Sequence, residues 1–107
     1  MQAMRGSAIG FGTDNGGSVS MPAAAAGVFS IKPSSGRLPT TGMPDSSPGQ
    51  SNIKTVAGML GPSVASLELV FKAIMSAKPW LTDPGVLPIP WREPTDFGSL
   101  ANLHLAS

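Results

Sequence analysis

The chain has 107 residues, with thirteen glycines, eleven prolines, no cysteine and no tyrosine; Gly and Pro together run at about twice their usual share. Seven Lys and Arg against six Asp and Glu leave a net charge of +1, which supplies no electrostatic footprint for nucleic acid or an anionic membrane surface. The lack of cysteine excludes a disulfide framework, a thiolate metal site and a cysteine nucleophile, and no run of about 20 apolar residues exists to span a membrane.

In chain order, the first expected element is a short buried strand at Ala8-Ile9-Gly10-Phe11-Gly12. Thr13-Asp14-Asn15-Gly16-Gly17-Ser18 reads as a turn, because two glycines are free to take positive φ. Met21 to Val28 has a proline in its first turn and four alanines, which predicts a short buried helix closed near Gly27. Ser30-Ile31-Lys32 is a strand end. The segment to Ser51 carries four prolines and three glycines, too densely spaced for a long element, and reads as a surface loop that lines a site or wraps a neighbour.

The clearest periodicity follows Gly61-Pro62. Leu67, Val70, Phe71 and Ile74 recur at i, i+3, i+4 and i+7, one helical face, so a helix is predicted over Ser66 to Ala77. Ser63 or Ser66 caps its first turn, and Pro79 stops it. Its apolar stripe needs a partner surface that the rest of the chain does not obviously supply. Val86 to Arg92 reads as an extended ribbon near polyproline geometry. Domain organisation is one unit over 1–93 with a poorly ordered tail over 94–107. A small Gly- and Pro-rich chain with 41% apolar residues is neither disordered nor well equipped to close its own core, so a piece of something larger is expected.

Chemistry concentrates between Gly10 and Ala24. A strand feeding a double-glycine turn and then a serine gathers several backbone N–H groups around one point. Such a nest suits an anion or the oxyanion of an acyl-transfer intermediate. Ser18 at its end is a nucleophile if a base lies in reach. Taken alone, Gly-Gly-Ser is a common turn and Ser18 an ordinary hydroxyl. Nucleotide readings fail: no lysine follows Gly17 as a P-loop requires, and Gly10-Phe11-Gly12-Thr13-Asp14-Asn15 lacks the third glycine of a dinucleotide site. His104 reads as a surface residue. Asp45, Asp83, Glu93 and Asp96 are scattered without metal or glycosidase logic, and Trp80 and Trp91, flanking the ribbon, are expected to pack against protein outside this chain rather than to stack on a ligand.

Gly12-Thr13-Asp14-Asn15-Gly16-Gly17-Ser18, with Pro22-Ala23-Ala24, Gly27 and Lys32-Pro33-Ser34-Ser35-Gly36-Arg37, resembles the core of the amidase signature family. Val56-Ala57-Gly58, Gly61-Pro62, Ser66-Leu67-Glu68, Lys78-Pro79-Trp80 and Leu87 to Arg92 are similar to its fungal acetamidase-type branch. The resemblance implies an α/β fold, here part of a mixed central sheet with flanking helices. It also implies hydrolysis of small carboxylic amides through a Ser–Ser–Lys triad, with no metal and no cofactor.

By the same resemblance Ser18 is the acyl-forming nucleophile. The backbone N–H groups of Asn15, Gly16, Gly17 and Ser18 form the oxyanion hole, and Thr13 and Asp14 brace the turn. In that family the lysine base and the bridging serine lie upstream, in part within a Gly-Gly-Ser-Ser-Gly-Gly stretch. Seventeen residues precede Ser18, and none shows that stretch; Ser7 follows a single glycine and is not assigned the bridging role. Lys32 is weighed as a substitute base against a structural role in its Lys-Pro-Ser block, and the structural role carries more weight. Ser20, Ala26 and Ser30 stand where the family commonly has Arg, Cys and Gly.

The expectation is therefore a portion of an amide hydrolase, inactive by itself and cytoplasmic. The alternative is a non-catalytic truncated relative, or an incomplete gene model, acting at most as an interaction fragment.

Overall fold

The computed structural model describes residues 1–45 and 48–93. The expected tail, with Asp96 and His104, lies outside the described residues. Strand β1 (Gly10–Asp14) leads through a tight turn to helix α1 (Ser20–Ala26) and strand β2 (Phe29–Ile31). A long loop then reaches strand β3 (Val56–Gly61), helix α2 (Val64–Ser76) and a 3-10 turn at Pro79–Leu81. The sheet order is β1-β3-β2, and both pairings are antiparallel.

The central strand is the one that composition hid. Val56-Ala57-Gly58-Met59-Leu60-Gly61 is a short apolar run with no period of its own, and it is buried along almost its whole length. Being covered on both faces removes the in-out alternation by which a half-exposed strand is recognised. Pairing with it also moves β1. The register runs from Gly10 opposite Leu60 to Asp14 opposite Val56, two residues beyond the expected strand. As an edge strand β1 is not fully buried, and Phe11 is 55% exposed.

Alternation along β3 sends Ala57 and Met59 to one face, where they meet Leu67, Phe71 and Met75 of α2 together with Leu38. The apolar stripe of α2 is thus covered from within the chain, by a strand not foreseen. The helix starts two residues early because Ser63 is extended and its hydroxyl accepts the Ser66 N–H at 3.1 Å, the capping role expected of one of the two serines. On the other face Gly58 makes room for Val19. A Cβ at Gly58 would lie 3.1 Å from both Val19 methyls and 3.0 Å from the Ile31 carbonyl oxygen. Helix α1 spans most of the predicted range and ends at Gly27, but it buries only Ala23.

Val86 to Arg92 forms no regular element and crosses the α2 face. The Leu87 N–H donates to the Gly36 carbonyl at 2.8 Å, and the Arg37 guanidinium donates to the Ile89 carbonyl at 2.6 Å. Trp91 packs on Phe71 with ring centroids 5.7 Å apart, so this tryptophan finds its partner inside the chain. Lys72 pairs with Glu93 at the end of the ribbon. Among the described residues no helix is long and apolar enough to cross a membrane.

Asp83, unremarkable in the sequence, is a buried clasp between two loops. Its Oδ2 accepts the N–H groups of Thr40 and Thr41 at 3.0 Å, and its Oδ1 accepts that of Gly85 at 2.8 Å. The N–H groups of Thr41 and Gly85, with the Thr41 hydroxyl, outweigh burial and lower its carboxyl from 3.8 to about 2. The folded value is the lower one, so this stability is complete above the unfolded value and lost as pH falls through the folded one. Urea titrations should show Asp83 contributing a loss of about 2 kcal/mol between about pH 5 and pH 2, so that the acid destabilisation of Asp83→Asn is smaller than that of the wild type by about this amount.

Candidate active site

The site grows from the last residue of β1. Asp14 is fully buried, yet each carboxylate oxygen has a backbone donor. Oδ1 accepts the Gly17 N–H at 2.7 Å and Oδ2 accepts the Val19 N–H at 2.7 Å. These bonds fold residues 15–19 back over the end of the strand. Gly17 sits at φ 124°, where a side chain is strained, and its carbonyl accepts the Met21 N–H at 2.8 Å. Val19, 1% exposed, plugs the turn into the sheet. Ser18, between the two anchored N–H groups, faces solvent, and its hydroxyl bonds to no acceptor or donor among the described residues.

Burial pushes the Asp14 carboxyl up. The N–H groups of Val19, Gly17 and Ser20, with the charge of Lys32, outweigh that push and hold it below its ordinary value. Lys32 Nζ lies 3.9 Å from Asp14 Oδ1, and its side chain is 41% exposed. Lys32 is thus engaged by the acid that braces the turn, a link invisible in sequence because it crosses β3. The Ser7 hydroxyl donates to the Ile9 carbonyl at 2.8 Å.

The turn brings Asn15, Gly16, Gly17 and Ser18 together, with unequal freedom. Gly17 has given its N–H to Asp14, which removes it from the donors available to an oxyanion in this conformation. Bracing falls to Asp14; Thr13 points to the other face of β1, where it lines a shallow depression with Thr40, Thr55 and Lys54. A larger groove of about 720 Å³ lies between β2, α2 and the ribbon, lined by Ile31, Arg37, Leu67, Phe71, Pro90 and Trp91 among others. None of Asn15 to Ser18 lines it, and sequence reasoning did not foresee it.

The sequence pattern of the family described as Amidase matches residues 1–104. The chain is similar to an acetamidase of Aspergillus oryzae, 43% identical over 103 residues, which is 96% of this chain and 19% of that protein. It is similar to fatty-acid amide hydrolase 1 of Sus scrofa, 36% identical over 91 residues, covering 85% of this chain and 16% of that one. Among solved structures, a fatty acid amide hydrolase superposes with a TM-score of 0.82 at 42% identity, over 86% of this chain and 16% of that one. The fold is therefore a part of that architecture. The chain spans less than a fifth of the length of these relatives.

Proposed function

The chain belongs to the Amidase family, and from that premise we propose that it carries the nucleophile turn of an enzyme hydrolysing small carboxylic amides, with Ser18 as the attacking group. The observation that carries this reading is the pair of 2.7 Å bonds from Gly17 and Val19 to buried Asp14, which fix the turn on both sides of an exposed serine. A nucleophile needs that combination of rigidity beneath and access above.

In the reaction, Ser18 Oγ adds to the amide carbonyl carbon while a base takes its proton. Charge develops on the carbonyl oxygen, where the N–H groups of Asn15, Gly16 and Ser18 stand as donors. Collapse of the tetrahedral species breaks the C–N bond, and the leaving nitrogen receives the proton. Water then hydrolyses the acyl ester and restores Ser18. The reading calls for no metal or cofactor. A near-neutral chain is compatible with an uncharged amide substrate. The 107 residues taken by themselves are expected to turn over little amide, because Ser18 Oγ has no hydrogen-bond partner among the described residues to receive its proton.

A fluorophosphonate probe tests the assignment. In the protein made from its own gene, with all coding sequence that flanks these residues, the adduct should fall on Ser18. Trypsin would release it on the peptide Gly6–Arg37, since Pro33 shields the Lys32 bond. A folded protein whose Ser18 stays unmodified would favour the non-catalytic reading.

A further inference from the structure

Strand register explains how Lys32 comes to face Asp14. Asp14 stands opposite Val56 and Ile31 stands opposite Met59, so the two flanking strands end on either side of β3. Ile31 packs against the α2 core. Lys32, the next residue, turns to the opposite face, the one that holds Asp14 and Val19. Its ammonium spans β3 to within 3.9 Å of Asp14 Oδ1. Strands β1, β2 and β3 and helix α1 contain no ionisable side chain besides Asp14 itself, and Lys32, one residue past β2, is the cation that among the described residues pairs with this carboxylate, which is wholly out of water.

That oxygen, Oδ1, is also the one that holds the Gly17 N–H. The geometry points to Lys32 as a positioning residue for Ser18: by supplying the countercharge of Asp14, it keeps Gly17 and Val19 anchored and so fixes where the Ser18 hydroxyl and the N–H donors stand. The inference rests on the reading of Ser18 as the nucleophile. It gives Lys32 a role different from that of a general base. An ion pair uses the lysine as a cation, whereas a base must accept a proton. Lys32 acts through Asp14 and the turn, and it need not touch the substrate.

Charge removal and charge replacement separate these roles. In the native gene product, Lys32→Met should lower kcat for an amide by about fivefold at neutral pH, with KM within about twofold of the wild type. The acid limb of its pH profile should move to higher pH, since Asp14 then takes a proton more readily and lets go of the turn. Lys32→Arg should restore both the rate and the acid limb, because arginine keeps the charge but cannot serve as a base.

Equal kcat and equal acid limbs for wild type and Lys32→Met would overturn the proposal. So would a Lys32→Arg variant as impaired as Lys32→Met at every pH, the result a catalytic base predicts. Failure of the underlying reading looks different: the wild-type protein would then show no fluorophosphonate adduct at Ser18. In that case the role of Lys32 falls with it.

Discussion

Ser18→Ala in the native gene product should reduce amide hydrolysis by about a thousandfold or more while leaving the affinity for a non-hydrolysed amide nearly unchanged. The size follows from the chemistry. Without the hydroxyl no acyl-enzyme forms, and what remains is transition-state stabilisation by backbone donors alone, since nucleophile and base act as a unit. The affinity should hold because the donors belong to the backbone, which the substitution leaves in place. Stability should hold as well, within about 0.5 kcal/mol, because Ser18 is exposed and its hydroxyl bonds to nothing among the described residues. Measuring kcat, KM and urea midpoints together checks all three. Residual activity within tenfold of wild type would mean that another group does the attacking.

The contrast between Ser18 and its neighbours shows what could be read from the sequence. Two glycines followed by a serine announce a turn, and the periodicity of Leu67, Val70, Phe71 and Ile74 announces a helix, because both signals are local. The turn and α2 are both present, the helix displaced by two residues through the Ser63 cap. Strand β3 carried no such signal. Its six residues are apolar on both faces, and its partners lie more than twenty residues away, at Gly10–Asp14 and Phe29–Ile31. A short apolar run bounded by turn residues was the available clue, and it does not by itself separate strand from helix. Missing β3 also displaced β1 and left α2 without a surface to cover its stripe.

The same distinction divides the site. The order of residues 12–18 fixes the turn and, through the family resemblance, the candidate roles of Ser18 and its backbone donors. What the linear order hides is the use of each donor. Gly17 looks equivalent to Gly16, yet its N–H is spent on Asp14, and only the folded backbone shows this. Lys32 lies eighteen residues from Asp14 in sequence and meets it only because β1 and β2 flank the same strand. Asp83 likewise joins Thr40 and Thr41 to Gly85 across more than forty residues. Pairings that depend on register are set by tertiary packing, and no local pattern encodes them.

Asp14 is where fold and proposed chemistry converge, so its removal should be the most damaging single change to stability near the site. Asp14→Ala strips the Val19 N–H, wholly inside, and the Gly17 N–H, partly inside, of their acceptor. A buried donor left unpaired costs about 1–3 kcal/mol, so a loss of about 3–5 kcal/mol is expected, enough to unfold a domain of ordinary marginal stability. Asp14→Asn keeps the shape and one acceptor oxygen, but it turns an N–H₂ group towards a backbone N–H; about 2–3 kcal/mol should go.

The pH dependence has a definite sign. The carboxyl is held below its ordinary value in the folded protein, so its contribution is complete above the unfolded value and lost as pH falls through the folded one. Acid should therefore weaken the wild type and leave Asp14→Asn less affected, with the two stabilities converging as pH drops. Loss of the anchor should also be felt at Ser18: fluorophosphonate labelling of Asp14→Asn should slow even under conditions where circular dichroism shows it folded. An Asp14→Asn protein as stable as wild type at pH 7, and labelled as fast, would show that the turn holds its shape without the two bonds to Asp14.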